Sequence, residues 1–411
     1  MSADPAIQGG GEGASAPLRV TMLGLRGVPN VQGGVESHVE NLALRLAELG
    51  CEVEVIVRSA YVDAASPRTW HGIRLTRLWS PRRSGIETFL HSLLGVLRAG
   101  VSRPDILHIH GIGPALFTPL ARLLGLRVVV THHSPNYEHE KWGAGARTLL
   151  RLGEQVAMRW AHGRITVSTF LAEAMRRRYG VAIEVIPNGI ATPRILSSTG
   201  TLTAYGLSPG RYVLSVARID PVKRQLDLIA ALTRQAQPAA PVLVSAEGGG
   251  DDGFEPAGGE PWRLALVGGA DHGTEYARAV AEAAAASAEV VMLGYQSGDA
   301  LAELFSHAGA FAMVSSHEAQ PIAVLEAMSY GCPLILSDIP AHHEIAPPGT
   351  IFVTPGDVAG LSARVAAIAS GHDTETVTAA DRARVAERHD WRAIARRTLQ
   401  VYRTVHRPRS V

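Results

Sequence analysis

The sequence predicts an α/β protein built from two doubly wound, Rossmann-like domains that face a cleft between them. Short apolar runs rich in Val, Ile and Leu alternate with helical patterns in the N-terminal half, and the same alternation repeats in the C-terminal half. Such runs are typical of parallel strands buried on both faces, and repeated strand–helix alternation is typical of doubly wound sheets. A chain of 411 residues is also too long for one ordinary core.

The expected elements follow these runs. In the N-terminal half we expect strands at Leu18–Leu25, Glu52–Arg58, Asp105–His110, Arg127–His132, Arg164–Ser168 and Glu184–Pro187, with helices at Glu36–Leu49 and Ala144–Ala161. In the C-terminal half we expect strands at Tyr212–Ala217, Arg263–Val267, Val290–Leu293, Ala310–Val314, Pro333–Ser337 and Ile351–Val353. Helices are expected there at Gln225–Arg234, Thr274–Ala286, Ala323–Tyr330 and Ala359–Ala369.

Composition predicts where the domains begin and end. The first domain is expected over residues 18–190 and the second over 211–388, joined by a linker at 191–210 that is rich in Ser, Thr, Pro and Gly. Gly and acidic residues crowd into 246–261, which we expect to form a flexible insertion. The helix within 389–411 is expected to pack back on the first domain.

The first 17 residues and the cysteines bear on the compartment. Residues 1–17 are mostly Gly, Ala, Ser and Pro, and we expect a disordered tail there rather than a signal peptide. No apolar run reaches the roughly 20 residues that span a bilayer. Cys51 and Cys332 are the only cysteines and lie far apart, so a disulfide framework is not expected. These features favour a cytoplasmic protein.

Charge is distributed unevenly along the chain. Residues 18–192 carry 21 basic against 13 acidic side chains, whereas residues 193–411 carry 18 against 23. The first half therefore favours an anionic partner, such as a membrane surface or a phosphorylated lipid. The alternative is a set of solvated, Arg-rich helix faces. No nucleic-acid partner is expected.

Two cations lie at the end of the first strand of the second domain. The strand Tyr212–Ala217 runs into Arg218, and Lys223 follows five residues later, just before a helix. Open α/β sheets bind ligands at the carboxyl ends of their strands, where two cations could stabilise a leaving diphosphate. Lys141 and Lys223 are the only lysines, so a lysine at this point indicates a need for a compact ammonium group. Ordinary surface charges are the alternative.

A Gly-rich loop joins the first strand to the first helix. Gly33 and Gly34 stand just before the helix that includes Glu36, without the spacing of a dinucleotide fingerprint. Such a loop lets the backbone approach an anion, and the helix N-terminus supplies unpaired N–H groups. The loop is therefore a candidate for the phosphate side of a ligand; a permissive turn is the alternative.

The most specific pattern is a pair of glutamates eight positions apart. Glu318 lies in the loop after an apolar strand, and Glu326 lies within the apolar helix that follows. A carboxylate among apolar neighbours is costly to bury without partners, and the hydroxyls of a sugar or ribose could supply them. Two solvated acids are the alternative, which suits Glu318 better than Glu326.

Histidines mark two strand ends in the first domain. His108 and His110 end one strand on the same face, and His132 and His133 end the next. Asn136 and Lys141 follow soon after and, with His110 and His133, are candidates for binding a second substrate. Four histidines could suggest a metal site, but no helical His-Glu-x-x-His or Cys cluster supports one. We therefore predict no metal and no cofactor.

Together these motifs resemble retaining glycosyltransferases of the GT-B fold, in the large family with a Glu-x7-Glu motif (the group 1 or family 4 type). The resemblance covers roughly residues 18–400 and rests on Gly33–Glu36, on Arg218 with Lys223, and on Glu318 to Glu326. His317-Glu318 and the string Ser337–Pro340 are similar to a bacterial subgroup that builds surface polysaccharides.

The resemblance implies roles for individual residues. Arg218 and Lys223 would hold the donor diphosphate, Glu326 the ribose, and Glu318 the donor sugar and phosphates. His110 would lie beside the reacting centre. The remaining donor-side candidates are Gly33, Gly34, Ala319, Gln320, Pro321 and Ile322. Ala319 stands where the family commonly has Gly.

These observations predict a metal-independent glycosyltransferase that moves a sugar from a nucleotide-sugar donor, with retention, to a saccharide or lipid-linked acceptor. The second domain would bind the donor and the first domain the acceptor. The Arg82-Arg83 pair before the apolar pattern Phe89–Val96 suggests peripheral contact with the inner face of an anionic cell membrane. A nucleotide-sugar epimerase and a non-catalytic nucleotide-sugar-binding partner are the alternatives.

Overall fold

The computed structural model describes residues 16–63, 65, 67–81, 86–135, 137, 143–236, 261–270, 273–372 and 377–406. The segment expected to be a tail lies outside these ranges except for its last two residues, and the expected insertion at 246–261 does so except for its last residue. Four residues singled out from the sequence also lie outside the described residues: Arg82, Arg83, Asn136 and Lys141.

The first domain is a parallel sheet with helices on both faces. Its strands are β1 (Arg19–Leu23), β2 (Glu52–Arg58), β3 (Thr69–Trp70), β4 (Ile73–Leu78), β5 (Ile106–His110), β6 (Val128–His132), β7 (Gly163–Thr166) and β8 (Glu184–Val185). They are ordered β3-β4-β2-β1-β5-β6-β7-β8, and only the short β3 is antiparallel to its neighbour within this sheet. The helices are α1 (Gly34–Glu48), α2 (Ile86–Ser102), α3 (Thr118–Leu123), α4 (Ala144–Trp160) and α5 (Thr169–Tyr179), with a 3-10 helix at Pro114–Phe117.

The second domain repeats this architecture with a smaller sheet. Its strands are β9 (Tyr212–Val216), β10 (Arg263–Val267), β11 (Val290–Gly294), β12 (Ala310–Met313), β13 (Leu334–Ser337) and β14 (Ile351–Val353), ordered β11-β10-β9-β12-β13-β14 and all parallel. The helices are α6 (Gly200–Ala204), α7 (Gln225–Ala236), α8 (Glu275–Ala285), α9 (Gly298–Ser306), α10 (Ile322–Tyr330), α11 (Pro340–His343), α12 (Val358–Ala369) and α13 (Ala379–Arg388), with a 3-10 helix at Pro221–Lys223. Two Rossmann-like sheets are thus confirmed.

The segment expected to be a linker contains the helix α6. The backbone N–H groups of Thr201 and Leu202 at the start of α6 both donate to the Glu303 carboxylate on α9. Leu202 is fully buried in the second core. The sequence of α6 is too short to show a helical period, so only this tertiary packing makes the helix evident.

The last helix, α14 (Trp391–His406), lies against the first domain. Its buried face packs into the core formed by α1 and β1, through Trp391, Leu399 and Tyr402. The chain crosses between the domains twice, and the two crossings pair with each other, because Ile190 N–H donates to the His389 carbonyl at 2.9 Å. The crossings therefore form one paired connection between the domains.

Candidate active site

The carboxyl ends of the strands of both sheets meet at the cleft. A pocket of about 310 Å³ lies between the domains and is lined by Tyr137, Phe170 and Met175 of the first domain and by Ser316, Glu318 and Pro340 of the second, among others. Another pocket, of about 400 Å³, lies at the amino end of the second sheet beside Trp262 and contains none of the candidate residues. Of the predicted site residues, Glu318 lines the pocket between the domains.

Lys223 and Glu318 form an ion pair on the second domain's edge of the cleft. Asp220 caps the 3-10 helix that carries Lys223, and Ser316 N–H donates to the Val222 carbonyl at 2.8 Å, which ties the two loops together. Burial by itself would raise the pKa of Glu318, but the Lys223 ammonium outweighs it and holds the pKa below its usual value. Both groups are thus charged, close together and largely shielded from solvent.

Arg218 follows β9 and lies close to the Gly-rich loop of the first domain. Its carbonyl accepts a hydrogen bond from Gln225 Nε2 at 2.8 Å, which fixes the backbone at this turn. Its guanidinium lowers the pKa of Glu36 across the cleft, an effect smaller than those of burial and Arg26. The positive charge of Arg218 is therefore directed toward the cleft.

Glu326 lies one turn inside α10, on the half-buried side of an apolar helix. Among the residues that the structure describes, its carboxylate forms no hydrogen bond or ion pair. Burial raises the pKa of Glu326 to about 7. A half-buried carboxylate without a protein partner is an acceptor available to a ligand hydroxyl.

The Gly-rich loop of the first domain is organised around an ion pair. Glu36 accepts bonds from the Arg26 backbone N–H and guanidinium Nε, both at 3.0 Å. A Cβ on Gly33, whose φ is +147°, would lie 2.0 Å from Glu36 Oε2, whereas a Cβ on Gly34 would meet nothing within 4 Å. Gly33 therefore makes room for the Arg26–Glu36 pair, a reason that the sequence did not show. The loop touches the second domain through Gly269 N–H, which donates to Gln32 Oε1 at 3.1 Å.

Imidazoles cluster on the first domain's edge of the cleft. His110 Nδ1 lies 3.1 Å from His133 Nε2, and His38 of α1 adds a third ring whose centroid is 4.7 Å from that of His133. His108 lies behind them, held by Tyr402 OH at 2.6 Å and Thr131 Oγ1 at 2.7 Å. Burial lowers the pKa of His38 to about 4 and of His108 to about 3, and those of His110 and His133 well below their usual value. All four imidazoles are therefore neutral near pH 7.

His132 belongs to a separate network on the other face of β6. Its Nε2 lies 3.0 Å from Glu154, which also accepts bonds from Tyr137, Tyr179 and Arg178. Burial by itself would raise the pKa of Glu154, but His132 and the tyrosines lower it. This carboxylate is fully satisfied inside the protein, so His132 supports α4 and α5 rather than lining the cleft.

Asn188 is a site residue that sequence reasoning missed. Its Nδ2 donates to the Gln320 carbonyl at 2.8 Å, and its own backbone N–H donates to Gln320 Oε1. Its Oδ1 lies 2.9 Å from His38 Nδ1, and its carbonyl 2.7 Å from His389 Nδ1. Asn188 thus connects both domains and the returning chain; a lone Asn before Gly in the sequence gave no sign of this.

Two of the predicted donor-side residues, Ala319 and Gln320, lie where the glutamate loop meets the first domain. Ala319 is buried among first-domain side chains, and Gln320 is held by Asn188. Pro321 precedes α10, which Ile322 begins. Of the predicted acceptor-side residues, the structure places His110 and His133 together; Asn136 and Lys141 lie outside the described residues.

Family models match both domains of this chain. The model described as Glycosyltransferase Family 4 matches residues 32–194, and the model described as Glycosyl transferases group 1 matches residues 207–397. A glycogen synthase of Mycobacterium tuberculosis is 26% identical, over 94% of this chain and 94% of that protein. A phosphatidyl-myo-inositol mannosyltransferase of Mycolicibacterium smegmatis is 25% identical, over 92% and 91%.

Solved structures share the two-domain fold. Sucrose-phosphate synthase from Thermosynechococcus elongatus superposes with a TM-score of 0.76 at 21% identity, over 94% of this chain and 99% of that one. Anabaena HepE, determined in complex with UDP-glucose, superposes with a TM-score of 0.72 at 17% identity, over 94% and 100%. With the matches to both family models and the relatives that span nearly the whole chain, this protein is a GT-B glycosyltransferase.

Proposed function

We propose that the protein takes a sugar from a nucleotide-sugar donor and transfers it, with retention of configuration, to a saccharide or lipid-linked acceptor in the synthesis of cell-surface polysaccharide or glycoconjugate. The observation that carries the proposal is the part-buried Lys223–Glu318 ion pair at the cleft, together with the cation of Arg218 at the end of β9 and the half-buried carboxylate of Glu326 in α10. The UDP-glucose bound by HepE supports a nucleotide-sugar donor, and the name of the mannosyltransferase relative supports a lipid acceptor.

The second domain's edge suits the donor. A diphosphate at Lys223 would take over part of the bonding that Glu318 provides now, and would gain the charge of Arg218. Both cations would stabilise the negative charge that develops on the leaving diphosphate. Glu326 would accept hydrogen bonds from the ribose hydroxyls, and the freed Glu318 would face the donor sugar and phosphates.

Transfer would occur on one face of the sugar. The bond between the anomeric carbon and the diphosphate breaks, the acceptor oxygen bonds to that carbon, and the acceptor proton passes to the departing phosphate oxygen. We assign neither candidate glutamate as a nucleophile, because Glu318 is paired with Lys223 and Glu326 would bind the ribose. Neutral His110 and His133 would orient the acceptor hydroxyl. The cations and helix N-termini would perform the electrostatic role of a metal, so the reaction would need no cofactor.

Product stereochemistry tests this proposal. Purified protein is incubated with a panel of nucleotide sugars and with lipid-linked saccharide acceptors, in the presence of excess EDTA, and the product linkage is assigned by NMR. We expect transfer with the donor's anomeric configuration and no loss of rate with EDTA. An inverted product would refute the retaining mechanism. A donor whose sugar is epimerised without acceptor would favour an epimerase, and donor binding without turnover a non-catalytic partner.

Two helices of the first domain support membrane contact. Exposed apolar side chains line one side of α2 (Phe89, Leu97 and Val101) and of α4 (Leu149, Leu152 and Trp160). Both helices pack on the 3-10 helix at Pro114–Phe117. Arg151 and Arg159 of α4 are also exposed, so the apolar residues are bordered by positive charge, as on proteins that lie on anionic bilayers.

We expect this surface to hold the enzyme at the inner face of the membrane, near a lipid-linked acceptor. Among the described helices, none is both long and apolar enough to cross a membrane. Co-sedimentation with vesicles containing anionic lipid tests the idea: Val101→Glu with Leu97→Glu should release the protein, whereas neutral vesicles should bind neither form. Equal sedimentation of both forms with anionic vesicles would contradict it.

A further inference from the structure

The geometry points to a transition-metal site at His38, His110 and His133, where a divalent ion such as Zn²⁺ would bind and close the acceptor side of the cleft. One ring nitrogen from each of these histidines lies within 4.8 Å of the others. They come from three different elements: α1, the end of β5 and the segment after β6. This ion would be an inhibitor of the proposed transfer rather than a cofactor for it.

The spacing of the nitrogens suits one small ion. Zn²⁺ binds imidazole nitrogen at about 2.0–2.1 Å in tetrahedral geometry, which places two ligand nitrogens about 3.3 Å apart. His110 Nδ1 and His133 Nε2 are 3.1 Å apart, so this pair already has nearly that spacing. A modest shift of His38 would complete a three-histidine site with one open position.

The surroundings orient the ring of His38. Asn188 Oδ1 lies 2.9 Å from His38 Nδ1, so Nδ1 carries the proton and Nε2 keeps its lone pair. Ligating histidines commonly have such a carbonyl partner on the second nitrogen. Trp391 packs against the other side of this ring, with centroids 5.4 Å apart. His38 therefore keeps a lone pair on Nε2 that is available to an ion.

The cluster is not satisfied by its own hydrogen bonds. His110 is fully buried, and its Nε2 has no hydrogen-bond partner among the described residues, so this nitrogen can carry the proton while Nδ1 offers its lone pair to an ion. Buried polar atoms without partners are uncommon. His133 is half-exposed, which leaves a path for an ion from the cleft.

A bound ion would inhibit the transfer reaction because His110 and His133 orient the acceptor in that reaction. This step rests on the proposed function. A bound ion would use the lone pairs that the acceptor hydroxyl needs and would occupy the adjoining space. The donor edge, formed by Lys223 and Glu318, would remain open. Inhibition by Zn²⁺ should therefore be competitive with acceptor and noncompetitive with donor.

Metal binding is measured first, without turnover. Chelator-treated full-length protein is titrated with Zn²⁺ in a calorimeter and with Co²⁺ by visible absorption, which reports a tetrahedral nitrogen site. We expect one equivalent bound to the wild type and at least a roughly 100-fold weaker site in His38→Gln. His406→Gln, which changes an exposed histidine on α14, should bind as the wild type does.

A second variant, His133→Asn, guards against misfolding of His38→Gln, because His133 is only half-buried; near-ultraviolet circular dichroism checks both folds. Unchanged binding in either folded variant would overturn the site. Binding without competition against acceptor would overturn the blocking role alone. Absence of transfer in metal-free protein would refute the proposed function and leave the metal site standing on the titration.

Discussion

The two edges of the cleft are prepared for substrates in opposite ways. On the second domain, Lys223 and Glu318 form an ion pair, and Arg218 adds a further positive charge. Burial raises the pKa of the Glu326 carboxyl on α10 to about 7. On the first domain the corresponding strand ends carry His108 and His110, whose charge burial has removed. The comparison shows that one fold, used twice, provides a charged edge and a neutral hydrogen-bonding edge, which suit the polyanionic donor and the acceptor hydroxyl of the proposed reaction.

Removing the Lys223 ammonium group should cause the largest loss of activity. Lys223→Ala leaves Glu318 without its ion pair and the diphosphate with Arg218 as its one remaining proposed cation, so we expect kcat/KM to fall by about 100- to 1,000-fold. Lys223→Arg should recover part of this, because the charge returns on a planar fork. Initial rates and thermal unfolding are measured together. Arg211→Ala, at the opposite end of β9, is the matched control; near-normal activity in folded Lys223→Ala would exclude the assigned role.

The link between the two edges should be the next most sensitive feature. Asn188→Ala removes the side-chain hydrogen bonds to the Gln320 carbonyl and to His38 and keeps the backbone N–H bond to Gln320 Oε1, so both the glutamate loop and the imidazole cluster are held less firmly. We expect kcat to fall by about 10- to 100-fold. Steady-state kinetics against donor and acceptor separately check this. Asn41→Ala, which loses only a bond within α1, should behave as the wild type, and equal kinetics of the two variants would contradict the coupling.

The charge of Glu326 should appear in the pH dependence of donor binding. With its pKa raised to about 7, this carboxyl is largely protonated near pH 6 and ionised near pH 8. Ribose hydroxyls donate to the ionised form, so donor affinity should rise by up to about tenfold over this range. Calorimetric titration with the nucleotide sugar measures it, and Glu326→Gln should remove that rise. A wild-type profile identical to that of the variant would be inconsistent with a ribose contact.

The same shift has a consequence for folding. The pKa of Glu326 is about 7 in the folded protein, against the usual value of 4.5 in the unfolded chain. Between pH 4.5 and about pH 7 the folded protein therefore keeps a proton that the unfolded chain has lost. The free energy of unfolding should fall as pH rises through that window.

The Gly-rich loop allows two neighbouring glycine substitutions to be compared, and the expected effect is on stability. Gly33→Ala places a methyl group against Glu36 and Arg26 at a φ of +147°, and we expect the free energy of unfolding to fall by about 2 kcal/mol. Gly34→Ala, one residue later, meets open space and should change it by less than about 0.5 kcal/mol. Urea denaturation of both variants checks this; equal stabilities would show that Gly33 is not needed for the ion pair.

Sequence reasoning succeeded where a local pattern carried the information. Buried parallel strands such as β2 and β10 are rich in Val, Leu and Ile, and their predicted bounds are confirmed. It had no prediction for the short β3, or for α5, whose last turn is a run of arginines. Such elements are specified by what they pack against rather than by their own period.

The amino-acid sequence by itself determined the two-domain α/β class, because periodicity and composition act locally. It also placed Lys223 and Glu318 in loops that follow strands and Glu326 in the next helix. Only the tertiary structure decided their partners. The pairing of Lys223 with Glu318 spans 95 positions, and that of Asn188 with Gln320 spans 132. It also brought His38 to His110 and His133. Contacts of this range depend on how whole elements pack, and no local pattern records them.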